Sequence, residues 1–223
     1  MPRDTFEKLV DTLKSKLLNM GTVVGRTIID GVDALKTRDR TMAEALIKND
    51  EEINRLRYEI EEESYDLIAT QQPLASDLRE IISILLIAIE LERIADHSKN
   101  LGEIVIHMGN EPLLKPLVDI PRMAEICESM LSQSLDAFSR KDADAGRAVC
   151  QRDDVIDQLY QQIFRELLTY VMEDSRTVTR ALNLLFAAHN LERIGDRITN
   201  IGERVIYAAT GQLEELNNAK LVR

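Results

Sequence analysis

Residues 91–106 read LERIADHSKNLGEIVI, and residues 191–206 read LERIGDRITNIGERVI. The two stretches are identical at ten of sixteen positions and stand one hundred residues apart. A period this long marks a duplicated structural unit rather than a solenoid repeat. In the second copy, positions 184, 187, 191, 194, 198, 201, 205 and 208 are Leu, Ala, Leu, Ile, Ile, Ile, Val and Ala. Unbroken spacings of three and four make this the apolar stripe of an amphipathic helix. The first copy keeps the stripe apart from Ser98.

Outward from the motif the duplication continues. At an offset of 103, Met20, Asp33, Ala34, Asp39 and Asp50 meet Met123, Asp136, Ala137, Asp142 and Asp153. The offset falls to 100 across residues 71–76, a loop three residues longer than its counterpart. Apolar spacings predict a first helix over 4–37 and a second over about 42–70, with Ala45, Leu46, Ile53, Leu56, Ile60 and Leu67 inward. Gln71-Gln72-Pro73 ends the second, because proline disfavours helix at the residue before it. The third runs over about 74–108. Gly109 to Pro116 gathers a Gly and two Pro and reads as a linker. Asp119 and Pro121 suit the start of a fourth helix, a fifth covers about 142–172, and Asp174-Ser175 can cap a sixth. The expected fold is all-α: two pseudo-symmetric three-helix bundles in tandem, over residues 1–110 and 111–223, each up-down-up because its loops are short.

Composition narrows the function. Aromatics are 4% and Trp is absent, as in long helices. A net charge of −11 disfavours nucleic acid, which needs clustered Lys and Arg, and suits cations or basic protein surfaces. Cys127 and Cys150 form no C-x-x-C pair and read as small buried apolar residues in a reducing compartment. The N-terminus carries no apolar signal region, and the longest apolar run, Ile84–Ile89, is far short of the ~18 residues of a membrane span. A cytoplasmic location is expected.

The polar identities of the motif follow a second row: Glu92, Asp96, Asn100 and Glu103, and Glu192, Asp196, Asn200 and Glu203. At ~100° per residue this row lies roughly opposite the apolar stripe, on an outer face. Like charges four residues apart cost a few tenths of a kcal/mol, so a repeated pair needs a reason. The preceding helix carries Asp153-x-x-x-Asp157 in the second half and Asp50-x-x-x-Asn54 in the first. Residues equidistant from a hairpin loop stand level, which sets Asp157 beside Glu192 and Asp153 beside Asp196. In the first half Asn54 falls next to Glu92 and Asp50 next to Asp96. Four carboxylates against three plus an amide suggest a hard cation in each half, weaker in the first. His97, beside Asp96, is a candidate extra ligand. The other reading is a solvated face eased by Arg93 and Arg193. A ferritin-like oxidase site is buried and uses Glu-x-x-His, and no His here follows a Glu by three.

The doubled LERI-[AG]-D-x-x-x-N-[LI]-GE, with D-x-x-x-[DN] on the helix before it, resembles the PhoU family, bacterial regulators of phosphate uptake, over nearly the whole chain. The resemblance implies a non-enzymatic cytoplasmic adaptor between the phosphate ABC transporter and a membrane sensor histidine kinase, and a homodimer is expected. It also implies multinuclear iron or zinc, with manganese or magnesium as alternative ions, held by Asp50, Glu92 and Asp96, then Asp153, Asp157, Glu192 and Asp196. Asn54 departs from the acidic pattern. Asn54, Asn100, Glu103, Asn200, Glu203 and His97 are further candidate ligands. A metal-free helical scaffold and a carboxylate-bridged oxidase are the competing readings.

Overall fold

The computed structural model describes residues 3–216; residues 1–2 and 217–223, at the outer ends of the two repeats, lie outside the described residues. The described chain forms α1 (Arg3–Thr37), α2 (Arg40–Gln71), α3 (Ala75–Met108), α4 (Asp119–Arg140), α5 (Ala143–Glu173) and α6 (Val178–Thr210). A single 3-10 turn, Ser175–Thr177, precedes α6, and there is no strand among the described residues. Each repeat is therefore three helices, as the duplication predicts.

The α1–α2 and α4–α5 turns use one device. Arg38 and Lys141 take left-handed backbone, with φ of 58° and 54°. Each is followed by an aspartate that caps the next helix: Asp39 accepts from the Met42 N–H at 3.0 Å, and Asp142 from the Ala145 N–H at 2.9 Å. Helix N-termini leave backbone N–H groups without intrahelical partners, so these caps set where α2 and α5 begin. Asp39→Ala and Asp142→Ala should each lower stability by about 1 kcal/mol, read as a shift in the urea midpoint. An unchanged midpoint would remove the caps from the account.

The apolar stripes meet in one continuous core drawn from all six helices. Leu91, Ile94, Leu191 and Ile194 are fully buried, and α3 lies against α6 over an extent comparable to its packing on α2. Helix α1 also packs on α4. The central helices can do this because they are apolar beyond one stripe: Ile84, Ile87, Ala88 and Leu91 wrap α3. The two bundles thus share an interior. The linker is held to it by Leu113, Leu114 and Leu117, by a Lys115–Glu166 ion pair, and by Arg38, which donates to the Asn110 and Glu111 carbonyls at 3.5 and 3.4 Å. No helix among the described residues is long and apolar enough to cross a membrane.

One inward assignment differs. Ala45 is exposed and Ala43 is buried instead. The reason is a tight helix crossing, which brings Ala43 onto Gly102.

Candidate functional site

The site is set by how closely the second and third helices of each repeat approach. A Cβ added at Gly102 would lie 3.0 Å from the Ala43 carbonyl oxygen. One added at Gly202 would lie 3.2 Å from the Gly146 carbonyl and would collide with Cys150 Sγ. The Gly of the motif is therefore a packing residue, and the small partner at 43 or 146 matches it. The close crossing changes the fate of the acid row. Asp50 and Asp153 are 7% and 1% exposed, and Glu92, Glu192 and Asp196 are half-buried; Asp96 and Glu103 remain exposed. The motif row is half-buried to exposed along the flank beside the neighbouring helix, and it is that helix's Asp50 and Asp153 that are buried, because the wheel of one helix carries no record of what packs beside it.

In the first repeat the hairpin register holds. Burial first, then Asp96 and Asp50, push the Glu92 carboxyl above the usual carboxylate range, against Arg57 and Arg93. Partial burial and then Asp50 push Asp96 up, with Lys99 and His97 opposing. Asp50, Glu92 and Asp96 thus feel one another, and their shared negative charge costs free energy that a cation would offset. A cation is already present. Lys99 Nζ lies 3.0 Å from Asp50 Oδ2, and Asn54 Nδ2 donates to the same oxygen at 3.2 Å. The hydrogen bond to Asp50 raises the Lys99 pKa and keeps it charged.

Besides Asp157 in place of Asn54, the second repeat is built differently at positions 195 and 199. Thr199 replaces Lys99, and its hydroxyl turns back to the Gly195 carbonyl at 3.2 Å. Gly195 replaces Ala95, and a Cβ there would collide with Asp153 Oδ1. The Asp153 carboxylate lies against the α6 backbone in the space that a side chain would fill. Arg193 spans Glu192 and Asp196 at 2.9 and 3.1 Å, as a solvated or eased face would require. Its counterpart Arg93 pairs with Glu90 at 3.2 Å instead. As the side chains stand, no group of three or more His, Cys, Asp or Glu among the described residues is disposed to hold a metal ion. By residue type the second repeat, with carboxylates at 153, 157, 192 and 196 and room for Asp153 beside Gly195, suits a hard cation; the first, with an ammonium and an amide on Asp50, does not.

The flanking candidates have other tasks. Asn100 Nδ2 donates to Asn190 Oδ1 at 3.1 Å, and Asn200 Nδ2 donates to Glu90 Oε2 at 3.3 Å. These two bonds are images of each other under the offset of 100, and they form a pseudo-symmetric polar seam between α3 and α6. His97 Nδ1 lies 3.1 Å from the same Asn190 oxygen, Arg197 lies 3.7 Å from Glu90, and burial lowers the His97 pKa. His97 and Asn100 share an open depression with Asp96, Lys99 and Glu103, but both bond across the seam to Asn190. Glu203 accepts from the Leu216 N–H at 2.7 Å, where the chain folds back over α5 and Arg147 grips Glu214. Both cysteines are buried and free, and burial pushes the Cys150 thiol up to about 12. Lys99 and Gly195 are the site residues that the motif reading did not single out. Their signal was in the repeat alignment, at two positions where the copies disagree.

A PhoU domain family model matches the chain twice, over residues 17–105 and 120–205, one match to each repeat. A phosphate-specific transport system accessory protein PhoU homolog from Clostridium acetobutylicum is 39% identical, with 98% of this chain and all of that one aligned. The homolog from Pseudomonas aeruginosa is also 39% identical, over 92% of this chain and 86% of its own length. Among solved structures, PhoU from Pseudomonas aeruginosa superposes with a TM-score of 0.88 at 38% identity, over 93% of this chain and 100% of that one. The phosphate transport system regulatory protein PhoU from Streptococcus pneumoniae gives 0.87 at 31%, over 94% and 99%. With both repeats matched, the fold shared and the identity spread over nearly all its length, this chain belongs to the PhoU family.

Proposed function

We propose that this chain is a cytoplasmic accessory regulator of phosphate uptake, an adaptor that docks on the phosphate ABC transporter and on a sensor histidine kinase and damps both when phosphate is plentiful. Membership of a family of phosphate-transport accessory proteins supports the regulatory part. One surface feature supports the docking part. Phe164, Leu168 and Met172 on α5 and Val178, Leu182 and Phe186 on α6 are all exposed, by 42–80%. Each pair is equidistant from the turn at 175, so the six side chains stand level in three rungs along ~12 Å of the hairpin. The matching α2 positions in the first repeat are Glu61, Tyr65 and Ala69, where Glu61 binds Arg57 and the Tyr65 hydroxyl. In the first repeat Leu78, Ile82 and Leu86 keep the α3 side apolar but half-buried, so only the second repeat exposes large apolar side chains on both helices of the hairpin, as a surface for a partner. On a chain of net charge −11 it suits an amphipathic helix with basic flanks.

Leu168→Asp with Phe186→Asp is the test, using purified transporter and kinase as defined partners. Binding should fall about tenfold or more. The Tm should move by only a few degrees, because both positions are exposed. Unchanged binding to both partners would discard the ladder. Loss of a dimer with partner binding intact would assign it to a second copy of the chain. Deleting the gene should raise phosphate-starvation gene expression in rich phosphate, and unchanged expression would count against the adaptor itself.

The reading includes a metal on the second repeat, iron or zinc, with Asp153, Asp157, Glu192 and Asp196 as the residues that would hold it. Bound there, the ion would neutralise the carboxylates and tie α5 to α6. A metal-free scaffold is the second reading, favoured by Arg193, which already spans Glu192 and Asp196.

A further inference from the structure

We propose that the ε-ammonium of Lys99 is the resident cation of the first repeat, so that this chain offers a metal ion one carboxylate site, in the second repeat, rather than two. The count of metal sites rests on the metal reading given above; the part played by Lys99 in the fold does not.

The argument compares equivalent positions. In the first repeat Asp50 Oδ2 receives two hydrogen-bond donors from the protein itself, Lys99 Nζ at 3.0 Å and Asn54 Nδ2 at 3.2 Å. Both lie where a metal would need that oxygen as a ligand. Asp50 is buried, and a buried carboxylate needs a compensating charge. Lys99 supplies it through a stem long enough to reach from α3 to α2. Asp96 and Glu103 line the same depression as the ammonium, so its charge serves more than one acid. In the second repeat both donors are absent by sequence: Thr199 stands for Lys99 and Asp157 for Asn54. The Thr199 side chain is committed to its own helix. A hard cation is selected by ligand charge, and the second repeat carries four candidate carboxylates and no lysine at position 199. The duplicated sites therefore meet one electrostatic problem in two ways, with an ammonium from α3 on the buried aspartate in one half and, in the other, no lysine at 199 and an arginine across Glu192 and Asp196.

The test uses the full chain, stripped of metal and then titrated with zinc, with bound zinc counted by elemental analysis after gel filtration. Asp50→Asn should leave the wild-type zinc content unchanged, whereas Asp153→Asn with Asp196→Asn should remove it. Lys99→Thr should raise zinc content about twofold, and adding Asp50→Asn should cancel that gain. A wild-type content halved by Asp50→Asn, or no gain in Lys99→Thr while the second repeat binds zinc, would overturn the proposal. A second measurement needs no metal. In chelator, Lys99→Thr should lower the Tm by about 5 °C, because a buried carboxylate loses its partner. The double variant Lys99→Thr with Asp50→Asn should lie well above the sum of the single losses. Losses that simply add would overturn the pairing. If wild type takes up no zinc at all, the metal reading of the second repeat fails, and the thermal cycle still decides for or against Lys99.

Discussion

Leu191→Ala is expected to lower the Tm by about 5–15 °C, and to do so for the whole chain in one transition. Leu191 is fully buried on α6, a helix that packs on α3, α4 and α5, and its carbonyl accepts the Cys127 thiol of α4 at 3.5 Å. Truncating such a leucine removes transfer free energy and leaves a cavity, at a cost of about 2–5 kcal/mol. For a chain of this size each kcal/mol is worth roughly 2–4 °C. The single transition follows from the continuous core. A lesion in the second repeat also removes the surface on which α3 of the first repeat packs. Leu91→Ala, at the equivalent position, should shift the same transition by a similar amount. Differential scanning calorimetry checks both. Two steps, with one left at the wild-type temperature, would show that the repeats have separate interiors.

Gly202→Val is expected to cost about 3 kcal/mol or more, the upper end of what overpacking does. The added side chain would meet the Gly146 carbonyl and the Cys150 thiol, and the carbonyl is backbone that cannot yield unless α5 and α6 part. The milder Gly202→Ala separates collision from propensity. In a helix interior Gly→Ala ordinarily gains up to about 1 kcal/mol, so a net loss at 202 has only the close approach to explain it. Gly102→Ala should lose stability for the same reason, with the Ala43 carbonyl 3.0 Å away. Gly25→Ala is the control: its nearest neighbours would be 3.9 Å off, and it should gain about 0.5–1 kcal/mol. Urea midpoints measure all four. A Gly202→Val midpoint equal to wild type would mean that the crossing is looser than described. Since Asp153 lies against Gly195 two turns away, parting α5 from α6 would also open the candidate site.

Much of this was legible along the chain. The offsets of 103 and 100 located six helices and a linker, because helix periodicity and turn residues are local properties. Asp39 and Asp142 stood out only as a matched pair of the duplication; that they cap α2 and α5 came from the structure. The hairpin rule placed Asp50 with Glu92 and Asp96, because residues equidistant from a short loop stand level whatever the rest of the fold does. The acid row was harder. Its angular position on α3 and α6 was right relative to the apolar stripe and Asp96 and Glu103 are exposed, but the half-burial of the others depends on the neighbour that Gly102 and Gly202 allow close.

The division runs between what one helix knows of itself and what depends on two. The sequence alone determined the duplication, the helices and the pairing of Asp50 with Glu92 and Asp96, all of which follow from spacings along the chain. Tertiary structure decided that the two bundles share one core, that Asn100, His97 and Asn200 serve the α3–α6 seam, and that Lys99 rather than Arg57 or Arg93 reaches the Asp50 carboxylate. Those outcomes depend on interhelical distance and crossing angle, which are settled by how several helices pack at once. No periodicity within a single helix encodes them.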